Sequence, residues 1–294
     1  MAWPFAPTLA TAVQASFSMI GSYPPSTAAV RLFSAPNCKD VIRAPSHHEI
    51  SQSSKILHLV RHAEGTHNLC EIESKKPIHL DARLTQRGVE QCLKLSSHTK
   101  NLRVEAVLVS PMTRCLQTAT LAFPHIYGPV NTSSKNIVYD SEEELDGFDA
   151  SVPFIAYEEW RETVNLLCDS RRPIHILQSE YPHVNFQFIS DDHDPLWSYY
   201  EKIFGSHDSH FSRRESGDPS GLYNRVHSAW RVLPNRPEKE IALVGHSAFF
   251  MHMFTPLFDE LHGVVRYEDK QVKDLMTAAK FDNCELRTVV VDYP

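Results

Sequence analysis

An arginine and a histidine stand side by side at the end of a mostly apolar stretch, residues 56–60. Such a short run predicts a buried strand, and open α/β sheets bind their ligands at the carboxyl ends of the strands. The guanidinium of Arg61 offers a rigid fork of donors that fits phosphate oxygens, and the imidazole of His62 can attack phosphorus. The pair therefore indicates phosphate chemistry, but a strand that merely ends in two polar residues would look the same.

A second segment, residues 106–118, repeats this layout. An apolar strand is followed by Ser110 as a predicted N-cap and by Pro111 at the first position of a predicted helix over 111–122. Arg114 then falls in the first helical turn, where free backbone N–H groups and the positive end of the helix dipole favour an anion.

A third strand, predicted over 241–246, ends at His246, and Ser247 opens an apolar helix predicted over 247–260. Three strands that each end in a side chain able to handle phosphate form a much stronger pattern than any one of them. We therefore expect these three strand ends to share one anion-binding site.

The remaining signals alternate between strands and helices, which predicts an α/β fold: a three-layer sandwich with a mainly parallel sheet and helices on both faces. No apolar run approaches the ~20 residues of a membrane span, so we expect no membrane association. The predicted strands are 55–61, 105–110, 137–140, 241–246 and 285–291, and the predicted helices are 85–99, 111–122, 247–260 and stretches near 156–167, 195–204 and 220–233.

These motifs together resemble the histidine phosphatase superfamily, the phosphoglycerate mutase-like proteins. The resemblance spans about residues 55–291 and rests on Arg61 and His62 with Asn68, on 110–118 and on 244–247. It implies the phosphoglycerate mutase-like fold and no cofactor. It also implies these roles: His62 as nucleophile, His246 in contact with the transferring phosphoryl group, and a phosphate pocket lined by Arg61, Asn68, Arg114 and Ser247.

Two residues beside the nucleophile depart from the usual family pattern. Ala63 stands where the family usually has Gly, and Gly65 stands where it often has Ser or Thr. Both changes lie in the loop that follows His62, so they concern the local geometry of that loop.

The resemblance also implies a carboxyl group that protonates the leaving oxygen. Residues 157–162 match the family segment, with Glu162 as the predicted acid and Glu159 as the alternative one helical turn away. Without the other motifs, these glutamates would read as a solvated helix face. A general acid must keep its proton at working pH, so we expect burial to raise the pKa of this carboxyl.

The segment from about 163 to 219 is long, polar and aromatic, and we expect it to cap the pocket and influence substrate choice. Arg171 and Arg172 lie in it. They could meet a second anionic group of the substrate, but the favoured interpretation is that they are surface charges or partners of nearby acids.

Composition separates the chain of 294 residues into two parts. Residues 1–54 contain no acid before Asp40 and fit either a disordered tail or a transit peptide, which predicts a cytoplasmic or organellar (plastid or mitochondrial) protein. Residues 55–294 have the size of one large α/β domain. The net charge of −7 argues against a nucleic-acid surface.

The six cysteines show no CxxC pair, which is typical of a reduced protein. None of the 17 histidines forms a HExxH motif. We expect no metal, since two arginines, two histidines and helix N-termini already supply positive charge for phosphoryl transfer.

The sequence thus predicts a phosphatase that hydrolyses a small phosphorylated metabolite through a phosphohistidine. The alternatives are a mutase, which returns the phosphoryl group to the same substrate, and an inactive protein that binds a phosphorylated ligand. The intact Arg61, His62, Arg114 and His246 argue against the inactive alternative.

Overall fold

The computed structural model describes residues 28–34, 51, 53–69, 79–127, 130–131, 138–139, 152–205, 214–255, 265–268 and 270–293. The strands within these ranges are β1 (Ala28–Ser34), β2 (Ser54–Arg61), β3 (Ala106–Val109), β4 (Val130–Asn131), β5 (Val138–Tyr139), β6 (Phe154–Ala156), β7 (Val184–Asn185), β8 (Glu240–Gly245), β9 (Val265–Tyr267) and β10 (Leu286–Asp292). The helices are α1 (Gln86–Thr99), α2 (Thr113–Ala122), α3 (Pro124–Tyr127), α4 (Ile174–Glu180), α5 (Pro195–Phe204), α6 (Pro219–Val232), α7 (Ser247–Phe254) and α8 (Lys270–Thr277).

Eight of these strands form one sheet in the order β7-β6-β3-β8-β2-β10-β1-β9. Only β10 runs antiparallel to its neighbours among the described pairings, and all other pairs in this sheet are parallel. Strands β4 and β5 form a separate antiparallel ribbon. The predicted mainly parallel sheet is confirmed.

Alternating side chains of the central strands feed two separate cores. In β3, Ala106 and Leu108 pack with residues of α6, α7 and α8, whereas Val107 and Val109 pack with residues of α1, α2 and α4. A strand that is apolar on both sides must be covered on both sides, because successive side chains point to opposite faces. Helices therefore cover both faces of the sheet, and the predicted three-layer α/β fold is confirmed.

The register of the central strands brings the predicted site to one edge. Val244 of β8 pairs with Val60 of β2 and with Val109 of β3, and all three strands run in the same direction. The residues that follow these positions therefore emerge side by side at the carboxyl end of the sheet. This is the edge where α/β sheets bind ligands.

Helix α2 begins two residues later than predicted. Met112 is its N-cap residue, so Ser110 is not the N-cap and Pro111 is not the first helical residue. The carboxylate of Asp81 accepts the backbone N–H of Thr113 at 2.8 Å and also the Thr113 hydroxyl proton. A carboxylate from a distant loop thus satisfies the first helical turn in place of a local cap.

The prediction of a helix near 156–167 is wrong. Strand β6 ends at Ala156, and short 3-10 turns cover Glu158–Trp160 and Leu167–Asp169. The guanidinium of Arg225 donates to the carbonyl oxygens of Glu159, Arg161 and Glu162 at 3.0, 2.7 and 3.2 Å. Those carbonyl groups would accept backbone N–H groups in a helix, so the arginine stabilises an irregular loop instead.

Strand β1 lies inside the segment predicted to be a tail. The tail prediction for residues 1–54 is therefore wrong for 28–34, which pair with both β9 and β10. The strand supplies hydrogen-bond partners to β10, whose outer edge would otherwise be open. Apart from residues 51, 53 and 54, the rest of 1–54 lies outside the described residues.

The other predicted elements match the structure closely, with two differences of detail. Helix α7 ends at Phe254, with Thr255 as its C-cap, so the helix predicted over 247–260 is shorter than expected; residues 256–260 lie outside the described ranges. The segment 163–219 contributes α4 and α5, and also β7, which extends the main sheet. No helix in the described ranges is long and apolar enough to span a membrane.

Candidate active site

His62 directly follows β2, and both its backbone N–H and its backbone carbonyl form hydrogen bonds. Its N–H donates to the carbonyl of Gly245 in β8 at 2.9 Å. Its carbonyl accepts the backbone N–H of Cys284 and the side-chain amide of Asn283, both at 3.2 Å. Rigid neighbours on each side give the imidazole a defined position at the sheet edge.

Hydrogen bonding leaves one nitrogen of the His62 ring able to act as a nucleophile. Its Nδ1 lies 2.8 Å from the carbonyl oxygen of Ala63, which can only accept, so Nδ1 carries the proton and Nε2 carries the lone pair. The side chain is only 2% exposed. Burial holds its pKa well below the ordinary value of 6.5, and the nearby charge of Arg114 lowers it further. His62 is therefore neutral around pH 7, as attack on phosphorus requires.

Arg114 lies in the first turn of α2 and is fully buried. Its guanidinium donates to the carbonyl oxygen of Cys168 at 2.6 Å and to Oδ1 of Asp169 at 3.3 Å. Its Nε is buried and has no hydrogen-bond partner among the described residues. The arginine is thus held in place from one side and keeps a free donor.

His246 follows β8 and completes a pair of imidazoles, since its ring centroid lies 5.1 Å from that of His62. Its Nδ1 lies 3.4 Å from Nη2 of Arg114, which can only donate, so Nδ1 is the acceptor. The Nε2 proton then faces the hydroxyl of Ser110 at 2.9 Å. Burial lowers the pKa of His246 well below 6.5, so this second imidazole is also neutral.

Arg61 and Ser247 both bind the backbone of Phe281. Arg61 donates from Nη1 to the Phe281 carbonyl at 2.6 Å, and the Ser247 hydroxyl accepts the Phe281 N–H at 3.0 Å. Nε of Arg61 is buried without a partner in the described part of the chain. These two predicted phosphate ligands therefore also hold the loop that precedes β10.

Asn68 is exposed, and its side chain stabilises the loop after His62. Its Oδ1 accepts the backbone N–H of Gly65 at 3.0 Å and an N–H of Asn283 at 3.3 Å. The structure places Asn68 beside the site, with its carbonyl oxygen already engaged.

Glu162 lies inside the site, and Glu159 does not. Glu162 accepts the backbone N–H of Phe249 in the first turn of α7 at 3.0 Å, and its charge interacts with both Arg61 and Arg114. The charged groups that act on Glu159 are instead Glu158 and Arg225. The structure therefore places Glu162, and not Glu159, beside the two arginines.

The carboxyl of Glu162 has the electrostatics of a proton donor. Burial raises its pKa, and the nearby carboxylate of Asp169 raises it further. Backbone N–H groups of Thr163 and Phe249 oppose this shift by stabilising the charged form. The net upward shift keeps Glu162 protonated to higher pH than an exposed glutamate.

Arg171 and Arg172 are structural. Arg171 forms an ion pair with Glu158 and donates to four backbone carbonyl groups, those of Arg172, Asp191, Asp192 and His193. Arg172 pairs with Asp81 and Glu180 and donates to the Thr113 hydroxyl at 2.7 Å. They are partners of nearby acids, and neither belongs to a second anion site.

Sequence reasoning missed three residues of the site. Asp169 holds Arg114, Ser110 binds His246, and His67 places a third ring 5.4 Å from His62. The position of Ser110 directly after a strand was a usable signal, because the other site residues share it. Asp169 and His67 carry no such positional signal.

The arrangement can bind and transfer a phosphoryl group. Two arginines with buried donors that are unpaired within the described ranges lie with two neutral imidazoles and a carboxyl whose pKa is raised, all at the carboxyl edge of the sheet. Among the described residues, no cluster of three or more His, Cys, Asp or Glu side chains could hold a metal ion.

Comparison with known proteins places the chain in a family. Residues 57–135 match the model of the histidine phosphatase superfamily, branch 1. A "Phosphoglycerate mutase-like protein" of Arabidopsis thaliana is 30% identical over 269 residues, which cover 81% of this chain and 84% of that protein. "Phosphoglycerate mutase-like protein 1" of the same plant is 31% identical over 250 residues and covers 81% of each chain.

Among solved structures, a putative alpha-ribazole-5'-P phosphatase from Escherichia coli covers 80% of this chain and 89% of its own, at 16% identity and a TM-score of 0.42. That likeness is too distant to inform the activity. The plant relatives share about a third of their residues with this chain over four-fifths of its length. The chain therefore belongs to the phosphoglycerate mutase-like proteins of the histidine phosphatase superfamily.

Proposed function

We propose that the protein is a phosphatase that hydrolyses a small phosphorylated metabolite through a phosphohistidine at His62. The observation that carries this proposal is the free Nε2 lone pair of a buried, neutral His62 in the same pocket as Arg61 and Arg114. The free Nε groups of these two arginines supply donors for an anion. A phosphate monoester satisfies both features at once.

In the first step, Nε2 of His62 attacks phosphorus, so that a P–N bond forms and the P–O bond to the leaving group breaks. Glu162 gives its proton to the leaving oxygen and becomes a carboxylate. Arg61 and Arg114 stabilise the charge that develops on the phosphoryl oxygens, and the neutral His246 lies beside the group being transferred.

In the second step, water attacks the phosphorus of the phosphohistidine. The Glu162 carboxylate accepts a proton from this water, the P–N bond breaks, and inorganic phosphate leaves. His62 regains its neutral form and Glu162 its proton, so the cycle closes without a cofactor.

A mutase is the second candidate. The near-complete burial of His62 favours it, because a phosphohistidine shielded from water can return its phosphoryl group to the bound substrate. The plant relatives also carry a mutase-like name. Hydrolysis and transfer share the first step and differ only in what accepts the phosphoryl group.

The test compares two classes of ester in three variants. His62→Ala should abolish turnover of every ester. Glu162→Gln should slow alkyl phosphates by about 10²- to 10⁴-fold, since general acid catalysis contributes about that much. It should spare p-nitrophenyl phosphate, whose leaving group needs little protonation. Glu159→Gln is the matched control and should leave both esters unaffected.

Several outcomes would overturn parts of the proposal. Selective loss in Glu159→Gln instead of Glu162→Gln would reassign the acid. Interconversion of phosphate positions on one substrate with little free phosphate would make the protein a mutase. Phosphate binding without any turnover or phosphohistidine, across a panel of phosphorylated metabolites, would show an inactive binding protein.

A further inference from the structure

His67 is a half-buried imidazole that the mechanism above does not use. Its ring centroid lies 5.4 Å from that of His62, with the two rings tilted by 43°. His246 lies at a similar distance, 5.1 Å, from the same ring. His62 therefore has two histidine neighbours, His67 and His246, and only His246 belongs to the motifs that carry the family resemblance.

One nitrogen of the His67 ring lacks a hydrogen-bond partner among the described residues. Its Nδ1 is buried, and no described residue forms a hydrogen bond with it. Buried polar groups are nearly always paired, and an unpaired one calls for an explanation such as a missing ligand. The neighbours point to an anion, because the charges of both Arg114 and Arg61 act on this ring.

His67 adds a donor without adding a charge. Burial, together with the charges of Arg114 and Arg61, lowers the pKa of His67 to about 2, so the ring is neutral around pH 7. A neutral imidazole carries one N–H. The site can thus gain a hydrogen bond to an anion without bringing a third positive charge close to two arginines.

Gly65 is the second observation. A Cβ at this position would lie 2.7 Å from Nδ1 and 2.8 Å from Cε1 of His67, which is closer than real contacts allow. The backbone of Gly65 is extended, with φ −98° and ψ 162°, so the main chain itself does not demand glycine. Glycine is needed here because the His67 ring folds back over it.

This close approach explains one departure from the family pattern. A Ser or Thr at position 65, which the family often has, would push the ring of His67 away. Gly65 and His67 therefore form a matched pair, in which the absence of one side chain admits the other.

We propose that His67 is an additional phosphate-binding residue, whose imidazole donates a hydrogen bond to the phosphoryl group held at His62, and that Gly65 makes room for its ring. The inference rests on the proposed function, since it names one more residue that contacts the substrate phosphate of that same site.

The test measures the affinity of the full chain for inorganic phosphate by calorimetry, which does not depend on turnover. His67→Leu and His67→Asn have similar shapes, but only Asn carries an N–H. We expect His67→Leu to weaken phosphate binding by about tenfold, the usual effect of one lost hydrogen bond to a charged group, and His67→Asn to restore part of this loss. Melting temperatures of the variants verify that they fold.

Gly65→Ser supplies an independent arm of the test. It should weaken phosphate binding by displacing the ring, and the double variant Gly65→Ser/His67→Leu should bind phosphate no more weakly than His67→Leu alone. Equal affinity in wild type and His67→Leu, or fully additive losses in the double variant, would overturn the inference.

These outcomes are separate from those that decide the proposed function. A wild-type protein that binds phosphate through His67 but forms no phosphohistidine would overturn the phosphatase and leave the His67 contact standing. Normal turnover with unchanged phosphate affinity in His67→Leu would do the reverse.

Discussion

Two pairs of arginines in this protein serve opposite purposes. Arg171 donates to a carboxylate and four carbonyl groups, and Arg172 to two carboxylates and a hydroxyl. Arg61 is held by a backbone carbonyl group and Arg114 by a carbonyl group and the carboxylate of Asp169, and each keeps a buried Nε without a partner in the described residues. The first pair stabilises loops, and the second pair is left ready for an anion.

The difference shows that an arginine available to bind an anion is recognised by its charge balance and its free donors together. Arg161 also has an unpaired Nε, but two carboxylates, those of Asp194 and Glu158, neutralise it. Arg61 has no carboxylate within ion-pairing distance among the described residues, and Arg114 has one, that of Asp169 at 3.3 Å. An arginine with both a free donor and unbalanced charge is costly to bury, at about 1–3 kcal/mol for the unpaired donor alone, unless a ligand completes it.

The largest effect should come from Arg114→Ala, which removes charge-assisted contacts made most strongly in the transition state. We expect kcat/KM for a phosphate monoester to fall by about 10²- to 10³-fold. Steady-state kinetics on the variant measure this loss. Kinetics like those of wild type would show that Arg114 is structural and would erase the distinction between the two pairs.

Arg171→Ala is the matched variant from the other pair. It removes one cation from the same neighbourhood and should destabilise the protein by about 2–3 kcal/mol, because buried carbonyl groups lose their donor. Chemical denaturation measures this change. The affinity of the folded variant for inorganic phosphate should equal that of wild type, and a clear loss of affinity would place Arg171 in the anion site after all.

The smallest expected effect is the change of kcat with pH. Glu162 acts in its protonated form, so kcat for an alkyl phosphate should fall as pH rises through its elevated pKa. His62 stays neutral well below pH 6.5, so its protonation should cause no loss of kcat between pH 7 and 6. A profile of kcat against pH measures both the fall at high pH and the absence of a loss between pH 7 and 6.

Asp169→Asn sharpens this prediction. It removes the carboxylate whose charge helps to raise the pKa of Glu162, so the high-pH limb should move to lower pH. The profile for p-nitrophenyl phosphate should move less, because that leaving group needs little help from an acid. A limb that stays in place would mean that Asp169 does not act on the acid.

Local patterns in the sequence determined much of this protein. Alternating runs of apolar residues predicted the strands of the sheet and most helices, because burial on both faces leaves a periodic trace in the chain. The position at the end of a strand identified Arg61, His62 and His246, since parallel strands place their carboxyl ends at one edge. Motif resemblance then assigned the family, which the plant relatives confirm.

Only the tertiary structure decided the features that depend on residues far apart in the chain. The start of α2 is set by Asp81, and the loop that carries Glu162 is held open by Arg225, 63 positions away. The placement of Glu162 near Arg114 and the pairing of Arg114 with Asp169 arise in the same way. Hydrogen bonds across such separations leave no periodic pattern in the sequence, because they depend on which segments fold next to each other.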